Sequence, residues 1–262
     1  MKGQRPKRKV VLILVEGQSE INALKPVLSA FYDSIDEDIE VFFPTIVEDE
    51  CDVRGDITSK KGISPDVIEG CIYKLFLKDF FDAEKLYPKD ISEIIQIVDL
   101  DGAYITNDKI LYGENPLGEN KPYYGSDTII TTDVDRIIER NNRKKANLDY
   151  LSSISVLTVK SKKPRYSVFF FSSNLDHFLH GDANMKSRDK ILKADEYASC
   201  YEEDPAKLVF DMKAKSGALV DMSYEGSWEY IKSGNRSLEP HTNINILFDR
   251  LLEESGNEQE EQ

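Results

Sequence analysis

A chain of 262 residues, 40% of them hydrophobic, is long enough to bury one sizeable core with a smaller lobe attached. Its net charge of −14 argues against a protein that coats nucleic acid nonspecifically, because such proteins neutralise phosphates with lysine and arginine. No apolar run approaches the ~20 residues of a membrane span, and three cysteines without a CxxC pair (Cys51, Cys71, Cys200) argue against a disulfide framework and for a reducing cytoplasm.

The basic start leads into an apolar stretch too short for a signal peptide. That stretch, Lys9 to Val15, is an unbroken β-rich run and predicts a central parallel strand covered on both faces. It ends in Glu16-Gly17-Gln18-Ser19-Glu20, where Ser19 can cap a helix whose apolar positions Ile21, Leu24, Val27, Leu28 and Phe31 fall at helical spacing. A second strand is expected over 39–47, a loop over 57–63, and a long helix from Asp66 to about Leu86, opened by Ser64-Pro65. Glu93 to Val98 reads as a third strand, running into Asp99-Leu100-Asp101-Gly102. This β-α-β-α-β order predicts a parallel sheet flanked by helices.

Residues 104–150 read as an insertion, irregular from Tyr112 to Ser126 and helical from Asp133 to Lys145. Strands are expected again over 154–159 and 166–171. From 186 onward the pattern is mainly helical, clearest at 191–201, 205–215 and 244–252, with a disordered acidic tail. The expected organisation is therefore an α/β domain over 1–185 and a helical portion over 186–262.

Two acidic signals occupy equivalent places, Glu16 after the first strand and Asp99 with Asp101 after the third. In open parallel sheets ligands bind outside the carboxyl ends of the strands. Neighbouring first and third strands would bring these carboxylates together, and the two acids of an Asp-x-Asp leaving a strand are expected on one side. Mg²⁺ (or Mn²⁺) suits a site of a few hard carboxylate oxygens.

This arrangement resembles the Toprim domain of topoisomerases, primases and OLD-type nucleases, over about the first two-fifths of the chain. The resemblance implies that Glu16 does acid/base or metal-associated work and that Asp99 and Asp101 hold Mg²⁺. The segment between the two motifs is longer than in compact Toprim domains. Glu16-Gly17-Gln18-Ser19-Glu20 is similar to the opening motif of RloB-like and OLD-like proteins of phage-defence systems. Phe171-Ser172-Ser173-Asn174-Leu175-Asp176 looks like a later segment of the RloB-like group, with Asp in place of Glu. On that resemblance Glu20 joins the catalytic set and Asp176 supplies a further metal-site acid. It implies a metal-dependent nuclease acting on DNA or RNA, with any ATPase supplied by a separate partner chain; a homo-oligomer is compatible with it.

Basic residues cluster at Lys2 to Lys9, Arg136 to Lys145 and Lys160 to Arg165. Such runs are usually solvated surface, but Arg143, Lys144, Lys145, Lys162, Lys163 and Arg165 are the candidates for a local nucleic-acid track. Three further patterns are weaker. Ile97 to Gly102 resembles the first motif of haloacid-dehalogenase-like phosphatases, but Ala103 stands where that family has Thr. His177 and His180, three apart, match no tight zinc spacing. Gly113 to Asn120 echoes a phosphate-binding loop but lacks its lysine and hydroxyl. A catalytically inactive binding module of the same fold is the non-enzymatic alternative.

Overall fold

The computed structural model describes residues 8–45, 56–201 and 204–260; Cys51, most of the Lys2 to Lys9 cluster and the end of the expected 39–47 strand lie outside them. Strand β1 (Lys9–Leu14) is followed by helix α1 (Gln18–Ile35) and strand β2 (Ile39–Phe42). Helices α2 (Ile68–Ile72) and α3 (Lys78–Ala83) come next, then β3 (Ile91–Asp99). The insertion holds β4 (Ile110–Tyr112), β5 (Tyr123–Tyr124), β6 (Ile129–Thr131) and helix α4 (Val134–Leu151). Strand β7 (Arg165–Phe171) and helices α5 (Leu175–His180), α6 (Ser187–Ser199), α7 (Pro205–Ser216), α8 (Tyr224–Ile231) and α9 (Ile244–Glu260) complete the chain.

The main sheet has the order β2-β1-β3-β7 and is parallel throughout. Side-chain alternation in β1 divides its apolar run between two cores. Val10, Leu12 and Leu14 enter one, with Ile68, Phe76, Leu148 and Trp228. Val11, Ile13 and Val15 enter the other, with Leu24, Leu28, Leu208 and Phe248. In β7, Val168 and Phe170 join the first core and Phe169 and Phe171 the second. Burial on both faces is why these strands read as continuous apolar runs rather than as alternation. The C-terminal helices share these cores, and α1 lies against α6, α7 and α9. Among the described residues no helix is long and apolar enough to cross a membrane.

Several details differ from the sequence expectation. Ser19 lies inside α1, whose N-cap is Gly17 with no side-chain cap bond, and α9 continues to Glu260 through most of the tail expected to be disordered. The helix expected from Asp66 to Leu86 is divided, with a π-helical turn at Tyr73–Leu77 between α2 and α3. Residues 154–159 form no strand; Val156 and Val159 make isolated antiparallel bridges to Arg165 and Lys162, closing a tight hairpin. The stretch read as irregular contributes β5 to a three-stranded sheet of order β4-β6-β5, packed on α4 through Ile110, Ile129 and Ile137.

Candidate metal centre

Because β1 and β3 are neighbours, their carboxyl ends deliver acids to one place. Glu16 stands two residues past β1, and its Oε1 accepts a hydrogen bond from Asp99 N at 3.2 Å. Asp99 is the last residue of β3. Immediately after it the chain leaves strand geometry, with Asp101 at φ 49° and Gly102 at φ 66°. Aspartate tolerates this left-handed region better than most residues, and glycine enters it without strain. Asp101 N donates to Ser173 O at 2.6 Å, which fixes the turn against the end of β7. Asp99, expected to face one ion with Asp101, is outside the group of acids that Asp101 joins. Asp99 Oδ1 instead accepts from Leu175 N at 2.9 Å.

The third acid of the cluster is Asp56, which lies in a loop before α2. Its Oδ1 accepts from Thr58 N at 2.7 Å, a local turn typical of aspartate. The loop is tied to α4 by Asn147, whose Nδ2 donates to Thr58 O at 2.7 Å and Ile63 O at 3.1 Å. Carboxylate oxygens of Glu16, Asp56 and Asp101 all lie within 4.8 Å of one another, a group that can hold a metal ion. Their side chains keep 17%, 10% and 24% of their exposure, so the group is reachable from solvent.

Lys144, on α4, enters this group from the protein side and is wholly buried. Its Nζ stands 2.7 Å from Asp101 Oδ2, 2.7 Å from Asp56 Oδ2 and 3.8 Å from Glu16 Oε1. Burial would lower the lysine's pKa, but the charges of Asp101, Asp56 and Glu16 raise it well above its ordinary value. Burial likewise works to raise Asp56, but the lysine's charge together with hydrogen bonds from Lys144 and Thr58 outweighs it and holds that carboxyl below the usual range. Glu16 is different. Burial, with the Asp56 charge beside it, pushes its carboxyl well above the ordinary carboxylate range despite Lys144. One ammonium among three carboxylates leaves the group short of positive charge, and a hard, oxygen-preferring divalent cation is the chemistry this donor set matches.

A second set of charges lies alongside. Asp176, in the first turn of α5, is buried and ion-paired with Lys190 of α6. Burial and the nearby Glu20 charge raise Asp99 well above its ordinary range, and burial raises Glu20 as well. Glu20 and Asp176 therefore stand with Lys190, Glu16 and Asp101 stand with Asp56 and Lys144, and Asp99 lies between the two sets.

The basic candidates separate. The expectation that Lys144 lies on an exposed nucleic-acid track is corrected: it is buried, because its carboxylate partners draw it inward. Arg143, partly buried, donates from Nε to Ser59 O at 3.1 Å, and Lys145 is half-buried on the same helix. Lys162, Lys163 and Arg165 sit at the amino end of β7, the opposite edge of a parallel sheet from Asp101 and about 20 Å away along the strand. Arg165 is paired with Glu254 at 2.6 Å. Those three do not border the acidic group.

Asp56 and Lys190 escaped sequence reasoning, and Lys144 was read for the wrong surface. Asp56 follows no strand and belongs to no motif, so only the fold could bring it in. Lys144 had a readable signal, its four-residue spacing from Arg140 on one helix face, but spacing does not say which face is buried. His177 and His180 join no cluster of metal-ligating side chains among the described residues.

Fold and site together define an α/β protein with a parallel sheet and an acidic group at its carboxyl edge. The chain matches no protein-family model, no curated protein and no solved structure.

Proposed function

We propose that this chain is a Toprim-like, divalent-cation-dependent phosphodiesterase that cuts nucleic acid, with Glu16, Asp56 and Asp101 holding Mg²⁺ or Mn²⁺. The observation that carries the reading is the meeting of these three carboxylates, from three separate segments, at the carboxyl ends of adjacent parallel strands, where such sheets bind ligands. The Toprim and RloB-like resemblance of the Glu16-Gly17 and Asp99-Leu100-Asp101 elements supports it, and the defence role rests on that resemblance. Asp56 in the ligand set, in place of Asp99, is the departure.

A divalent cation there supplies positive charge to the scissile phosphate and makes water easier to ionise. The chain's own groups do the rest. Lys144 offsets the repulsion between Asp56 and Asp101 and holds both in place. Glu16, with Oε1 engaged by Asp99 N, has Oε2 left to hold or give up a proton, and burial pushes its carboxyl toward the protonated form. Asp99, the nucleophile of a phosphatase reading, has Oδ1 engaged by Leu175 N and stands outside the group of Glu16, Asp56 and Asp101.

A second reading, a catalytically inactive binding module, is favoured by Lys144 itself, since its ammonium already occupies the space among the acids. Cleavage of a mixed panel of DNA and RNA separates the two. Cutting that requires Mg²⁺ or Mn²⁺, stops in EDTA and is lost in Asp56→Asn/Asp101→Asn supports the phosphodiesterase. A folded wild-type protein that cuts nothing contradicts it.

A further inference from the structure

Beside the acidic group, between residues 113–122 and the first turns of α4, lies an open groove of about 630 Å³. Arg136, Arg140 and Arg143 line one wall and Lys121 the other. Residues four and three apart share a helix face, so α4 presents the three guanidiniums as one stripe, continued by Lys144 at the next four-residue step. Each such step advances about 6 Å along the helix. Arg140 joins the groove to the acids: its Nη2 donates to Asp101 O at 2.8 Å, its Nη1 to Tyr124 Oη at 2.7 Å, and its guanidinium lies over the Tyr124 ring. Ser59, three residues beyond Asp56, lies in the same wall.

Three acids line the groove, and of these Glu114 is exposed at its edge. Asp133 caps α4 by accepting from Arg136 N at 3.1 Å, and Glu119 is paired with Lys121 at 2.7 Å. The Arg136 side chain is exposed and makes no ion pair among the described residues. An uncommitted guanidinium in a concave site is suited to phosphate oxygens, which it can engage with two parallel hydrogen bonds.

We infer that this groove is the entry track for the substrate's phosphodiester backbone, with Arg136 gripping phosphate and Arg140 aligning the strand toward Asp101. The inference rests on the phosphodiesterase reading and adds where its polyanionic substrate lies. It also accounts for nucleic-acid binding by a chain of net charge −14, because the positive potential is local and next to the metal group.

The test is fluorescence anisotropy of labelled short DNA and RNA, single- and double-stranded, with Ca²⁺ in place of Mg²⁺ to suppress cutting. Wild type, Arg136→Ala, Arg136→Glu and Lys162→Ala/Lys163→Ala are compared across salt concentrations. Arg136→Glu is expected to weaken binding about tenfold or more, and Arg136→Ala to flatten the dependence of log affinity on log salt by about 0.7–0.9, one phosphate contact. The Lys162→Ala/Lys163→Ala protein is expected to keep wild-type affinity. Unchanged affinity and slope in both Arg136 variants, with binding intact in the wild type, overturns the groove and leaves the phosphodiesterase reading standing. Failure of the wild type to bind any of the probes overturns both.

Discussion

Lys144 Nζ lies 2.7 Å from Asp101 Oδ2, with the lysine side chain wholly shielded from solvent. Removing one partner of a buried ion pair costs far more than the pair contributes, because the remaining charges are left largely desolvated and without their counter-charge. Lys144→Met is therefore expected to destabilise the protein by about 3–5 kcal/mol, measured by urea unfolding in EDTA. Divalent cation should recover part of that loss, since it replaces the missing charge. A loss below about 1 kcal/mol, typical of exposed pairs, would show that the lysine is not the counter-charge of this group.

Asn147 reaches the same group indirectly. Its amide closes the loop that presents Asp56 by donating to Thr58 O and Ile63 O. Asn147→Ala leaves buried carbonyls unpaired, at about 1–3 kcal/mol, and should weaken metal binding as well. A calorimetric titration and a urea curve on the same protein check both. Lost stability with metal affinity unchanged would mean that the loop is held by other contacts.

Gly102 follows Asp101 in the left-handed turn. A Cβ there would stand 2.6 Å from Leu238 Cδ2 and 3.1 Å from Ile129 Cδ1, and φ is 66°. Gly102→Ala should cost about 1–2 kcal/mol from the backbone alone, with the buried Leu238 contact adding to it. The shift in urea midpoint relative to wild type is the readout.

How far the sequence could be read follows from where each signal lies. The run Val10 to Leu14 announces a doubly covered strand because every side chain in it is buried, and Glu16 is legible because it terminates that run. Asp101 is legible as an acid after a strand, but its partner is not. Strand alternation assigns Asp99 and Asp101 to one side, yet only Asp101 joins the group with Glu16 and Asp56. Asp56 carries no local pattern at all. The residues around it are neither periodic nor motif-bearing, and its place depends on Asn147, 91 positions later in the chain. The hairpin at 154–165 reads as a strand from its β-branched residues, yet Lys160 at φ 54° turns it back before a ladder can form.

A pH test away from the centre concerns Glu69 of α2. Its carboxylate accepts from Tyr150 Oη and, at 2.9 Å, from Thr158 N. Burial acts to raise its pKa, and these hydrogen bonds outweigh it and hold the value below the ordinary one. A carboxyl lowered by folding contributes stability that is fully present above its unfolded pKa, about 4.3, and lost as pH falls through the folded value. Tyr150→Phe should then cost about 0.5–1 kcal/mol at pH 7, the low end because the pair is partly in solvent. The difference from wild type should shrink below pH ~4. Urea unfolding of both proteins across acidic pH reads it directly.

The most direct measurement is a calorimetric titration of Mn²⁺ into wild type, Asp56→Asn, Asp101→Asn and Asp99→Asn. The expected result is saturable binding by the wild type that is abolished by Asp56→Asn or Asp101→Asn and weakened less by Asp99→Asn, whose carboxylate is engaged by Leu175 N. No binding by the folded wild type, or equal binding by all four proteins, would contradict a metal centre built from Glu16, Asp56 and Asp101.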